Sequence, residues 1–306
     1  MDESLSHGSE SAHREDGRPS WSAGIEVAGR VTRETWRWLA LLSIVMFDFS
    51  ASTHWRFELA FIAVILVLSV MHIFFQLTVE TALLGNYDLA LGLNRWRLWL
   101  PLFAGSLEGW ILLEAGKYAE AEAATKRRCF DARGNPRLTS WQLYYHAMAL
   151  SHQGKWNPAQ DLLESAIQAS KKVGVFHLGL ADCLLEHDKH PEGALKLLYR
   201  LEAEPYPSLE TGRGAEKRAC RIGRQAWALA RCSRSEEALQ MLQNMFAKSA
   251  GFRPRTKAWL HYYAAETWLA LGNSDKARSS AEEGFALFSQ GQIRLCLQAT
   301  MAKLDN

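Results

Sequence analysis

Residues Leu59 to Val79 read LAFIAVILVLSVMHIFFQLTV, 21 positions with no glycine, no proline and no titratable side chain other than His72. At 1.5 Å of rise per residue the run makes about 31 Å of helix, enough to cross a hydrocarbon core of about 30 Å. Nothing in it stops the helix at Val79. Glu80-Thr81-Ala82-Leu83-Leu84 carries it on, and the first breaker is Gly85, followed by Asn86-Tyr87-Asp88-Leu89-Ala90. The sequence therefore predicts one rod that leaves the lipid and, with no linker, becomes the first helix of a helix-turn-helix array.

Upstream, residues 1–35 form a polar tail whose first stretch, MDESLSHGSESAHREDGRPS, has the composition of a disordered segment. It does not read as a cleavable signal, because the apolar region starts only near Trp36 and no small-residue cleavage site follows. Between Trp21 and Trp38, Arg30, Arg33 and Arg37 interleave with Ile25, Val27, Val31 and Trp36. That pattern fits an amphipathic segment on anionic headgroups, or simply the basic flank of a membrane helix. Trp36 to Ser52 is a first apolar segment of 17 residues, about 25 Å of helix and short for a span. With Thr53-His54-Trp55-Arg56 as the turn, 36–79 reads as a transmembrane hairpin of two helices, 36–52 and 59–79. Arginines 14, 18, 30 and 33 precede the first segment and 95 and 97 follow the second, with only Arg56 between them. The positive-inside bias then places both termini in the cytoplasm, in a multi-pass protein of the cell (inner) membrane. Asp48 and His72 are the intramembrane titratable groups, which are functional suspects by default. In an antiparallel hairpin they stand roughly 15 Å apart along the axis and do not pair. Asp48 reads as an interfacial carboxylate or a contact to a partner helix; an ion or proton path through it is a further reading.

From Gly85 onward one pattern recurs: a turn residue, an aromatic or polar residue two later, and alanine three after that. The instances are Gly85-Asn-Tyr87-Asp-Leu-Ala90, Gly116-Lys-Tyr118-Ala-Glu-Ala121 and Gly154-Lys-Trp156-Asn-Pro-Ala159. Weaker copies are Lys189-His-Pro191-Glu-Gly-Ala194, Ser233-Arg-Ser235-Glu-Glu-Ala238 and Gly272-Asn-Ser274-Asp-Lys-Ala277, and the alanines fall at intervals of 31, 38, 35, 44 and 39. The turn residue caps one helix, the aromatic fills the wedge between helices, and alanine lets the second helix approach the first. Gln292 to Leu304, with Ile293, Leu297 and Met301 at helical spacing and Arg294 and Lys303 outside, reads as a C-terminal capping helix.

These units resemble the tetratricopeptide repeat (TPR) superfamily, with its helix-turn-helix period of about 34 residues, over Met71 to Phe288. The first three units and YYAAETWLALGNSDKA carry the likeness best. Helix-A positions depart from the family pattern, reading Leu143, His146, Ala147 and Leu150 in one copy and His261, Ala264, Ala265 and Trp268 in the last. The resemblance implies an all-α chain: a two-helix hairpin continuous with a TPR-like α-solenoid over 80–306, on the cytoplasmic side. It also implies a concave groove for protein partners, lined by Trp141, Tyr144, Met148, Trp227, Arg231, Trp259, Tyr262 and Glu266. Aromatics and Arg are favoured interface anchors, and packing between repeats is the competing reading for each. The family's carboxylate-clamp positions hold Tyr144/Met148, Gly179/Cys183 and Gly223/Trp227, so chaperone-tail binding is not expected. The layout is also similar to that of the heme-biosynthesis-associated membrane repeat family, which places two spans before such repeats and implies an accessory role in a membrane biosynthetic pathway.

Catalytic signatures are lacking. There is no HExxH, Walker A loop, GxSxG elbow or dinucleotide GxGxxG. Glu186-His187-Asp188-Lys189-His190 has no third ligand in sight and reads as a solvated turn. Thr211-Gly212-Arg213-Gly214 lacks the strand and Lys-Ser/Thr of a phosphate cradle. Cysteines 129, 183, 220, 232 and 296 are an odd, scattered set without CxxC spacing, and a net charge of +2 is too small for bulk nucleic-acid binding. No catalytic, cofactor or metal residue is assigned, and the chain is read as a scaffold or adaptor, not an enzyme. One basic patch stands out: Arg213, Lys217, Arg218, Arg221, Arg224, Arg231 and Arg234, opposed only by Glu216. It reads as a dock for an acidic segment or anionic headgroups, or as a solvated helix face.

Overall fold

A computed structural model describes residues 55–97, 107–131, 136–169, 174–186, 190–203, 213–247 and 249–305. The polar tail, Trp36–Ser52 and Asp48 lie outside them. All regular structure among the described residues is helical. The first helix, α1, runs unbroken from Trp55 to Leu83. It starts earlier and ends later than the 59–79 span, and its segment long and apolar enough to cross a membrane is Val64–Leu83. Among the described residues this is the only such helix; the other half of the expected hairpin falls outside them.

The two ends of α1 differ in their surroundings. Val64, Leu66, Val67, Leu68 and Val70 are each about half exposed, Val64 at 55%, and His72 is exposed beside them. Further along, Met71, Thr78, Glu80 and Ala82 are buried. A rod with a bare aliphatic end and a packed end is what the opening run of sequence predicts.

After α1 come α2 (Tyr87–Arg97), α3 (Leu107–Glu114), α4 (Tyr118–Asp131), α5 (Pro136–Ser151), α6 (Trp156–Ala169) and α7 (Gly174–Glu186), paired across the recurring turns as α3 with α4, α5 with α6 and onward. Then follow α8 (Pro191–Ala203), α9 (Arg213–Arg231), α10 (Ser235–Phe246), α11 (Pro254–Ala270), α12 (Ser274–Leu287) and a terminal α13 (Gly291–Leu304). Odd-numbered helices end at the recurring turns and even-numbered ones begin there. The even helices start at Tyr87, Tyr118, Trp156, Pro191, Ser235 and Ser274, the positions the repeat pattern marks.

One backbone device makes five of these turns. Gly85, Gly116, Gly154, Ser233 and Gly272 all have positive φ, between 59° and 86°. Each N–H bonds to the carbonyl three residues back, and the next N–H to the carbonyl five back, as in Gly116→Leu113 and Lys117→Leu112, both 2.9 Å. This is the Schellman closure of a helix C-terminus. The carbonyl that follows then starts the next helix, accepting from Ala90, Ala121, Ala159, Ala238 or Ala277 N–H. Those alanines and Ala194 are all 0% exposed. A larger side chain there would separate the paired helices.

Packing is continuous along the array. Ala82, Ala90, Leu107 and Ile111 form the first cluster, and Leu91 and Trp110 join it to a second, built on Leu112, Leu113, Tyr145, Leu163 and Leu180. Leu184 joins that in turn to a third, running through Leu198, Trp227, Leu229, Leu260 and Leu297.

The turn geometry predicts opposite effects at two positions. Gly154 has open space around its missing Cβ, so Gly154→Ala tests φ alone and is expected to destabilise by about 1–2 kcal/mol. Ser233 holds φ 59° without being glycine, and Ser233→Gly is expected to stabilise by up to about 1 kcal/mol. Urea unfolding followed by helical circular dichroism measures both.

Candidate functional site

The odd-numbered helices turn charged side chains toward one interior. Glu114, at the end of α3, pairs with Arg255 at the start of α11, 141 residues away. Asp182 of α7 takes Arg224 of α9 in a two-point bond, 2.6 and 2.8 Å, and the guanidinium lies 4.9 Å from the Tyr263 ring centre. Glu266 of α11 accepts from Thr300 Oγ1 at 2.7 Å and Lys303 Nζ at 2.8 Å, both on α13. His152, just past α5, meets Gln292 of α13 and stacks on Tyr118 with ring centres 4.8 Å apart. These pairs join helices distant in the chain, so the array closes on itself.

Close approaches at three turns make that closure tight. A Cβ on Gly291 would stand 2.1 Å from the Glu114 carbonyl and 2.2 Å from the Tyr87 hydroxyl. One on Gly116 would meet Leu295, and one on Gly85 would meet Gln290. The link from α12 to α13 therefore sits against the turns that end α1 and α3.

Glu186, on the last turn of α7, makes no hydrogen bond or ion pair among the described residues. Burial, with Asp182 and Glu266 nearby, pushes its carboxyl up to about 8, against the pull of Lys303 and Arg224. Burial drives His152 down to about 4, so the ring is neutral at physiological pH. Burial likewise pushes the thiols of Cys183 and Cys220 up to about 11, which leaves them thiols and not nucleophilic thiolates. No group of three or more His, Cys, Asp or Glu among the described residues is placed to hold a metal ion.

The expected groove residues are largely packed between helices. Trp227 is 2% exposed, Tyr262 5% and Glu266 3%, and Met148 is buried as well. Trp141 and Tyr144 of α5 pack on Phe176 of α7, with centroids 5.0 and 5.3 Å from its ring. Trp259 stacks on Tyr263 and meets Tyr262 edge-on, and Trp227 meets Tyr262 across the α9–α11 interface. Arg231 is half-buried at the end of α9. The clamp-position glycines are covered too: a Cβ on Gly179 would lie 2.7 Å from Tyr144, and one on Gly223 2.8 Å from Tyr263.

The basic patch does not form one face. Lys217 and Arg218 are exposed, whereas Arg221 is buried and donates to the Leu201 carbonyl at 3.0 Å, and Arg224 is engaged by Asp182. The reason is helical phase. Each three-residue step turns the side chain by about 60° from its predecessor, so 218 to 224 sweeps from solvent to interior. Arg213 opens α9, and Arg234 pairs with its neighbour Glu237. Glu216, counted as the patch's one opposing charge, instead bonds Arg253 and Thr256 at the start of α11. Outside this interior, a groove of about 490 Å³ lies between α10, α11 and α12, lined by Leu239, Leu242, Gln243, Phe246, Trp268 and Lys276.

Sequence reasoning missed Glu114, Asp182 and Arg255; it read Glu186 as part of a solvated turn and Lys303 as facing outward, whereas Glu186 is packed inside and Lys303 reaches Glu266. A usable signal was the lone carboxylates in apolar helices, such as Asp182 and Glu186 in GVFHLGLADCLLE.

Among solved structures the chain is similar to a tetratricopeptide repeat protein from Parabacteroides merdae, at 12% identity over 90% of this chain and 99% of that one, with a TM-score of 0.49. No family model and no curated protein matches the chain. The repeat architecture rests on the helix pairs themselves.

Two outcomes follow from the interior charges. Glu186 has a folded pKa above its unfolded value near 4.3, so its contribution to stability is full below pH 4 and is lost as pH rises through about 8. Glu186→Gln is expected to shrink the fall in unfolding midpoint between pH 5 and 8.5. Arg224→Ala leaves Asp182 without its cation and is expected to cost about 3–5 kcal/mol, more than the double change Asp182→Leu with Arg224→Met. Denaturant melts across pH read both.

Proposed function

We propose that the chain is a membrane-anchored helical-repeat scaffold that holds a protein partner at the cytoplasmic face of the cell membrane. The observation that carries this reading is the division of α1 between a bare aliphatic end and an end packed into the array. Exposed Val and Leu side chains along several turns are costly in water and favourable in hydrocarbon. With no break before Gly85, the array is held against the lipid surface. Trp36–Ser52 serves as the second span, residues 1–35 as a cytoplasmic tail, and 80–306 as the soluble domain. The arginine distribution supports that orientation. Lys217 and Arg218 suit an acidic partner segment or lipid headgroups, and of the aromatic inner face the half-buried Trp141, Tyr144 and Trp259 are the part open to a partner.

The expected behaviour is flotation with liposomes and resistance to carbonate extraction. Lysine substitution at both Val67 and Val70 is expected to disfavour insertion by about 2.5–3.5 kcal/mol per site and release the chain to the soluble fraction still helical. A C-terminal reporter active only outside the cytoplasm, or a wild-type chain that carbonate extracts, would refute the proposal. Co-purification from detergent without a stoichiometric partner would remove the scaffold role while leaving the anchor.

A further inference from the structure

Resting on the scaffold reading, we propose that α13 is a displaceable strap over the inner face of the array, and that the partner docks there through a basic amphipathic helix that takes its place. The strap is held on one side. Ile293, Leu297 and Thr300 are buried, while Arg294, Leu295, Gln298 and Ala299 are exposed. Its neighbour α11, by contrast, buries nine side chains. The polar contacts of α13 lie at its two ends, Gln292 with His152 and, towards the C-terminus, Thr300 and Lys303 with Glu266.

Charge decides what fits beneath. When α13 lifts, Glu114 and Asp182 keep Arg255 and Arg224, but Glu266 loses Lys303. Glu186 makes no hydrogen-bonded ion pair among the described residues and burial keeps its carboxyl largely protonated, so Glu266 is the carboxylate left without a cation. Close by, the Trp227 indole Nε1 is buried with no acceptor among the described residues, its ring against Tyr262. The surplus is acidic and flanked by aromatics. Its natural occupant repeats the spacing of α13: apolar residues four apart, a hydroxyl three further on and a basic side chain three beyond that.

The test uses the full chain in detergent, with a fluorescein-labelled synthetic peptide of this chain's residues 289–305 as the probe. In the wild-type chain the tethered α13 competes at an effective concentration on the order of millimolar, so the probe binds weakly. Lys303→Glu sets a carboxylate against Glu266; it is expected to speed hydrogen exchange over 291–304 and tighten probe binding by at least about ten-fold. The exchange Glu266→Lys with Lys303→Glu is expected to restore both protection and weak probe binding. A probe carrying Lys303→Glu should not bind the opened chain. Unchanged protection of α13 in Lys303→Glu, or equal probe affinity for both chains, overturns the proposal. If Lys303→Glu loses helical circular dichroism, Lys303→Gln supplies the same comparison. Liposome flotation of the same proteins reports on the anchor separately, so a chain that floats but never takes the probe loses the strap and keeps the scaffold.

Discussion

Close approach at alanine is the contact on which the rest depends. Six alanine methyl groups, one at the start of each even-numbered helix, lie fully buried against the preceding helix. Five of them stand at a constant spacing from a left-handed turn residue, so those pairs leave their turns with the same geometry. Repetition of one local geometry generates a superhelix, because each pair can bury its apolar side only against the next. The inner face, the meeting of the two ends and the placement of α1 at one edge all follow from that iteration.

What fills the centre is unusual for a structure built this way. Two ion pairs, Glu114–Arg255 and Asp182–Arg224, stand where a simple core would be aliphatic, while a third, Glu266–Lys303, reaches solvent through its lysine. Paired charges out of water add little net stability over well-packed apolar groups, but losing one partner is costly. The pairs act as register pins. They tell helices 42 or 141 residues apart which neighbours are correct, a task that apolar side chains do poorly. The bonds from Glu216 to Arg253 and Thr256 do the same at the mouth of α11.

Local features were legible in the sequence; closure was not. Glycine at 85, 116, 154 and 272 and the alanines after them marked four helix starts, because Schellman turns and close packing restrict residue choice at fixed short offsets. The weaker copies beginning at Lys189 and Ser233 also gave helix starts, at Pro191 and Ser235, despite lacking glycine at the turn position. Tyr262, Trp227 and Glu266 could be assigned to the odd helices, but not whether solvent or α13 would cover them. That depends on how many pairs complete a turn of the superhelix, and small per-pair rotations are not written in any single motif. The arginines of α9 mislead for a related reason: composition counts charges, while phase decides which of them reach water.

The absence of a break between Trp55 and Gly85 has one more consequence. A helix advances 100° in azimuth per residue, so a single residue inserted into the packed half of α1 would turn the whole array by that angle about the helix axis. Two inserted residues would present its opposite flank to the lipid, and seven would nearly return it while raising it by about 10 Å. In a chain anchored through α1, the direction in which the array faces is encoded by the length of one rod.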